Sequence, residues 1–421
     1  MSRIAALALA FILVALASVS IAGAQSGIDV SDVHATSDFP NGISFSVTAS
    51  ADAGFDEVVL RYSIAPDGVR TTVVPECTAG AVMTCRYDLE AGARTALIPG
   101  AEITYLWSLT SGGVTQETEP QLIMYEDSRF EWQTISNGNL TVWFYDASED
   151  EARGILQAGR ESLDNIGALL ETSVGFPVKI FYYRTAEEMQ PAILSSDAGG
   201  VVTLGEVVYS DTAMVSADEA PGDITRHEIA HIVVREALGR RAGIPDWLHE
   251  GIAVYAQLQP LPDQRRAVDL AIESGDIISV RSLSSSSSGA LSSRVSLFYG
   301  QSWSLVQFLV DMHGQEQFAA FVRAFKDGAA TGDALQEVYG FDQDGLENAW
   351  RESVGLPPRD VPEPADPQQE PTPNPTADDT VEPDDDGGLP VVIIIVIIAV
   401  TAVLAGGLVL AAVALYRRYG G

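Results

Sequence analysis

Cysteine is almost missing from this chain: only Cys77 and Cys85 occur in 421 residues. So few thiols exclude a disulfide framework, and two of them without a nearby histidine make a poor zinc site. The pair reads instead as one structural disulfide closing a short hairpin-like loop of an exported protein. Basic residues are scarce as well. Lys and Arg number 24 against 58 Asp and Glu, a formal net charge of -34, so no nucleic-acid partner is expected against such a field. Histidine is rarer still, at five.

Two long apolar runs stand out at the ends. Residues 1–24 hold Arg3, an apolar stretch and the small-residue ending Ala22-Gly23-Ala24, the pattern of a signal peptide. Residues 391–415 carry no charge, and a helix of that length spans a hydrocarbon layer of about 30 Å. Arg417 and Arg418 follow and favour the cytoplasmic side. The expectation is a single transmembrane helix over 389–416, a cytoplasmic tail over 417–421 and an extracytoplasmic body held at the cell membrane. Between body and span, residues 356–388 carry ten acids against Arg359 alone, with many prolines, and read as an extended spacer.

The body divides by pattern. Residues 25–126 show short alternating runs such as Ile43-Ser44-Phe45-Ser46-Val47-Thr48 and Ile103-Thr104-Tyr105-Leu106-Trp107. Separated by turns, they read as an all-β sandwich, immunoglobulin-like or fibronectin-like, with an accessory role. Residues 127–355 begin with strand candidates at 140–145, 178–183, 201–204 and 207–209. Helices are expected at 148–170, 223–238, 245–258, 301–313, 315–326 and 333–339, an α+β order. The serine-rich stretch 282–293 reads as a loop.

The chemistry concentrates in His227-Glu228-Ile229-Ala230-His231. On a helix, i and i+4 share a face, so both imidazoles can reach one zinc ion while Glu228 meets a water made acidic by it. A second helix candidate, Pro245-Asp246-Trp247-Leu248-His249-Glu250-Gly251, places Glu250 after eighteen intervening residues. Two histidines and one carboxylate leave the fourth position of a tetrahedral zinc open, as catalysis requires.

These motifs resemble the gluzincins, the zinc metallopeptidases similar to aminopeptidase N. The resemblance implies a multidomain protein whose second domain is thermolysin-like. It also implies one zinc ion on His227, His231 and Glu250, and Glu228 as general base. Two departures stand out. His249 occupies a position where the family usually has Asn, and no Gly-x-Met-Glu-Asn motif is present to hold a substrate amino terminus. Residues Gly200, Val201 and Val202 stand where that motif would be, either as a substrate-pairing strand or as an ordinary one. Tyr299 is either the family's transition-state tyrosine or a core residue. His34 and His313 are expected on the surface or in packing, and Trp247, Tyr255 and Leu258 in the core.

The implied activity is hydrolysis of a peptide or protein substrate. The competing reading is a surface binding or adhesion protein in which zinc is structural. The free carboxylate of Glu228, which a structural site does not need, separates the two.

Overall fold

The computed structural model describes residues 27–65, 68–80, 82–92, 97–193, 204–239, 242–284 and 294–359. The expected signal peptide, membrane span and tail lie outside those residues. So do Gly200, Val201 and Val202, residues 285–293 of the serine-rich stretch, and all but the first four residues of the spacer. Among the described residues no helix is long and apolar enough to cross a membrane.

The chain forms two compact units. The first takes the residues up to 37 together with 43–89 and 102–123, and the second takes 38–42, 90–101 and everything from 124 onward. The first unit is strand-rich: β1 (Ile28–Asp38), β2 (Gly42–Ala51), β3 (Glu57–Ile64), β4 (Arg70–Val73), β5 (Glu76–Cys77), β6 (Val82–Glu90), β7 (Glu102–Ser111), β8 (Val114–Glu117) and β9 (Gln121–Met124). One sheet runs β1-β2-β6-β5 and another β4-β3-β7-β8, with β9 also paired to β7. Alternation along β2 sends Phe45, Val47 and Ala49 inward. Phe45 meets Tyr105 of β7 at 4.9 Å between ring centroids, so both sheets line one core. Cys77 and Cys85 face each other across β5 and β6 and form a disulfide.

The second unit opens with β10 (Gln133–Asn137), β11 (Leu140–Phe144), α1 (Glu149–Leu169), β12 (Val178–Tyr183), α2 (Ala186–Met189), β13 (Gly205–Tyr209) and β14 (Thr212–Ser216). Helices follow: α3 (Pro221–Leu238), α4 (Asp246–Ala256), α5 (Pro262–Ser274), α6 (Val280–Leu283), α7 (Val295–His313), α8 (Gln315–Lys326), α9 (Thr331–Tyr339) and α10 (Gln343–Ser353). The sheet order is β10-β11-β12-β14-β13. Because α1 intervenes between β11 and β12, those strands pair in parallel, as do β12 and β14. β12 lies at the centre with every residue buried, which is why it reads Val-Lys-Ile-Phe-Tyr-Tyr with little alternation. Its buried Lys179 lies 3.3 Å from Asp211 and donates to the Gly100 carbonyl at 3.0 Å. Nearby, the Ile98 N–H donates to the Tyr209 hydroxyl at 3.0 Å. Residues 97–101 thereby close on β12 and β13.

Two sequence expectations need correction, and one buried strand was not anticipated. Leu258 is not core: it is 60% exposed and sits at φ 70° just past α4. The helix expected from 301 begins at Val295, because no capping side chain marks its start and Gly300 interrupts its pattern. Strand β14, with polar residues at both ends of Thr-Ala-Met-Val-Ser, gave no recognisable pattern yet is wholly buried.

Gly300 and Gly251 mark close helix approaches rather than turns. A Cβ on Gly300 would strike the Gln264 carbonyl of α5. One on Gly251 would lie 2.5 Å from the Ser302 carbonyl and 2.7 Å from Val306 Cγ2 on α7. Gly251→Ala should therefore force α4 from α7 and lower the thermal unfolding midpoint, at a cost of about 1–3 kcal/mol. A midpoint equal to that of the unsubstituted protein would refute this packing.

Candidate metal centre

Helix α3 begins with Pro221 in its first turn, where a missing N–H costs nothing, and packs against α1, α4, β13 and β14. Being covered on most sides, it is apolar around much of its circumference, with Ile224, Ile229, Ile232, Val233 and Val234 buried. His227 and His231 are carried one turn apart on this anchored rod. Helix α4 starts after Pro245 as N-cap, and buried Trp247, Leu248 and Ile252 fix its rotation and present Glu250 to the two histidines.

His227 Nε2 lies 3.3 Å and His231 Nε2 3.6 Å from the same oxygen, Glu250 Oε2. The ligand-capable atoms of the three residues all fall within 4.8 Å of one another. Glu250 Oε2 is nevertheless buried without a hydrogen-bond partner. A buried acceptor is costly when left unpaired, and a cation held by the three residues would satisfy it. Two ligand atoms each roughly 2.1 Å from a tetrahedral zinc stand about 3.4 Å apart, close to the two imidazole–carboxylate separations of 3.3 and 3.6 Å. The residues fit zinc.

Glu228, 7% exposed, turns toward β13. A Cβ on Gly205 would lie 2.9 Å from its Oε1, and the Val207 backbone N–H favours its ionised form. Burial, with the charges of Glu250 and Glu206, pushes the Glu228 carboxyl up to about 8 in the metal-free protein. Burial also acts to raise Glu250, but the surrounding histidines, His231 first, outweigh it and hold that carboxyl down to about 2. Burial keeps His231 well below the usual imidazole range, with the nearby His249 adding to the effect.

Tyr299 lies inside α7 with its ring 6.1 Å from that of His227. The negative charge of Glu250, then burial, then Glu228 push its hydroxyl well above the ordinary phenol range, so it stays protonated and able to donate. His249 is not among the three converging residues, although its Nδ1 lies 3.9 Å from Glu250 Oε1. Its ring rests on that of His231 at 4.3 Å. Trp247 is buried and Tyr255 partly so. His34 bonds to Thr36, and His313 packs on Tyr339 and Phe341.

Gly205 and Gln257 were not singled out from sequence. Gly205 begins an edge strand with no motif around it. Gln257 lies seven residues past Glu250, a spacing that returns to the same helical face and offers the one available signal.

Residues 159–355, just under half of the chain, match the family model of the Peptidase MA superfamily. No curated protein matches the chain. Among solved structures, a two-domain M1 zinc metallopeptidase bound to L-arginine is similar at 13% identity, covering 81% of this chain and 97% of that one, with a TM-score of 0.35. An M1 zinc metallopeptidase from Deinococcus radiodurans is similar at 14% identity over the same shares, with a TM-score of 0.35. Its complex with a Tyr-Ser-Ala substrate gives 14%, 80%, 97% and 0.33. The assignment rests on the family model and the motif residues rather than on these loose overlays: residues 159–355 form a peptidase MA-like domain that resembles the gluzincins similar to aminopeptidase N.

Proposed function

We propose that this chain is a membrane-anchored, extracytoplasmic zinc metallopeptidase that hydrolyses peptide bonds. The observation that carries the reading is the convergence of His227, His231 and Glu250 on one point, with the buried carboxyl of Glu228 beside it. Zinc bound by those three residues would supply a Lewis acid, making water acidic enough to react near neutral pH.

The remaining work falls to the chain's own side chains. Glu228 takes the proton of the attacking water and returns it to the leaving amine. A neighbouring dication favours its carboxylate and lowers the raised affinity for protons described above. The Tyr299 phenol donates to the oxyanion that develops on the substrate carbonyl. β13, at the sheet edge and starting three residues after Val202 in the chain, supports alignment of an extended peptide along it.

The signal-like start, the apolar run 389–416 and Arg417 with Arg418 support export of the body and a single anchor. We read the N-terminal two-sheet unit as an immunoglobulin-like or fibronectin-like sandwich that serves the peptidase as an accessory.

The test is metal content and cleavage of a mixed peptide library by the full-length chain in detergent. About one zinc per chain is expected, with cleavage lost on chelation and restored by about one equivalent of zinc. Bound zinc without cleavage of any library member would favour the competing binding or adhesion role, with zinc structural. Absence of zinc would remove the central claim.

A further inference from the structure

We propose that Gln257 is a positioning residue for the metal centre, its side-chain carbonyl accepting the Nδ1–H of His227 and so fixing that imidazole's tautomer and direction. The inference rests on the zinc reading above.

Gln257 caps the C-terminal end of α4 and is 3% exposed, an unusual place for an amide side chain without a task. Its amide stands 3.1 Å from His227 Nδ1. The amide nitrogen faces the ring, while Oε1 is buried with no hydrogen-bond partner among the described residues. Oxygen and nitrogen of such an amide are told apart only by their hydrogen bonds. His227 directs Nε2 at Glu250, 3.3 Å away, so Nε2 is its metal-side atom and must offer a lone pair. The ring proton then sits on Nδ1. An amide nitrogen opposite it would set donor against donor. Turning the amide by half a revolution removes that conflict and gives the orphaned carbonyl its partner, while the amide nitrogen takes the buried position that Oε1 leaves.

The chain also ends the helix at this point. Leu258 takes a left-handed φ of 70° although it is not glycine and its side chain is mostly exposed. The effect is to leave Gln257 as the last residue facing the metal centre from α4. The other imidazole is held differently. His231 Nδ1 is buried without a hydrogen-bond partner among the described residues, and its ring rests on His249. Among the described residues, then, His227 has an amide partner to set its metal-side direction and His231 has none. Because that acceptor is a neutral amide, it donates less electron density to the imidazole than a carboxylate would, and leaves a bound cation the stronger Lewis acid.

The experiment measures zinc affinity by chelator competition in the full-length chain, for the unsubstituted protein, Gln257→Leu and Gln257→Glu, alongside the unfolding midpoint of each metal-free protein. Leu removes the acceptor at similar volume, and affinity should fall about 10- to 100-fold. Glu restores an acceptor and should return affinity to within about threefold of the unsubstituted protein or better. Leu binding zinc as tightly as the unsubstituted protein, or Glu binding as weakly as Leu, overturns the inference. No zinc on the unsubstituted protein would instead overturn the underlying zinc reading. Should Gln257→Leu fail to fold, imidazole nitrogen NMR of the zinc-loaded protein decides. Five histidines make the spectrum assignable: a His227 Nδ1–H with a hydrogen-bond coupling to the Gln257 side-chain carbonyl supports the proposal, and a His227 Nδ1–H without that coupling and in fast exchange with water refutes it.

Discussion

Glu228→Gln should reduce peptide hydrolysis by about 10²- to 10⁴-fold, the range expected when a positioned general base is lost, while about one zinc per chain remains bound. The two halves of that outcome test different statements. Zinc should persist because Glu228 is not among the converging ligand atoms. Turnover should fall because the isosteric amide cannot take a proton from water. Unchanged turnover would sink the assignment of the base.

The same variant has a signature in the metal-free protein. Glu228 holds its proton up to about pH 8 when folded, against an ordinary carboxyl value near 4.5. Below about 4.5 both states are protonated and the group is neutral in its effect. As pH rises from there toward 8, the unfolded chain releases the proton while the folded one keeps it, so stability is lost across that window. Metal-free Glu228→Gln should therefore unfold at a higher temperature than the metal-free parent at pH 8, with the gap closing toward pH 4.5. Function would then be maintained at the expense of stability, as is common for buried catalytic groups.

Gly205→Ala should cost about 10²-fold in turnover with zinc content intact, the loss expected when a catalytic group is displaced by an ångström. The added methyl would meet Ile224 Cγ2 at 2.6 Å and both Cγ and Oε1 of Glu228 at 2.9 Å. Ile224 and Glu228 lie on α3, which α1, α4 and the sheet hold from other sides, so the carboxylate or the strand must give way. Either movement separates Glu228 from the Val207 N–H that helps to orient it. A variant with full turnover would show that β13 does not press on the base as described. Comparison of unfolding midpoints distinguishes displacement of one group from general loss of structure.

What was legible in the sequence was local. The spacing within His227-Glu228-Ile229-Ala230-His231 follows from one helical turn, and the ligand role of Glu250 needed only a second helix returning along the first. Alternation exposed β2, β3 and β7, since one face of each meets a core and the other meets polar surroundings. What escaped depends on neighbours distant in sequence. Gly205 matters because of what stands opposite it, and no pattern near it records Glu228. The burial of Gln257 arises where α4 meets α3. Tyr299 was placed before its helix because Gly300, retained for the close pass of α5, resembles a breaker when read along the chain alone.

Residues 38–42 and 90–101 join the second unit although their neighbours in sequence belong to the first, so the chain enters the peptidase unit three times. Lys179 in the central strand and Tyr209 on the edge strand both find partners in the middle visit, at Gly100 and Ile98. The second unit is therefore not one continuous stretch of the chain. A gene fusion that carried only the later residues would inherit a sheet with a buried ammonium stripped of its carbonyl. A shorter piece of this chain would need residues 97–101 supplied with it to recover the full set of hydrogen bonds around Lys179 and Tyr209.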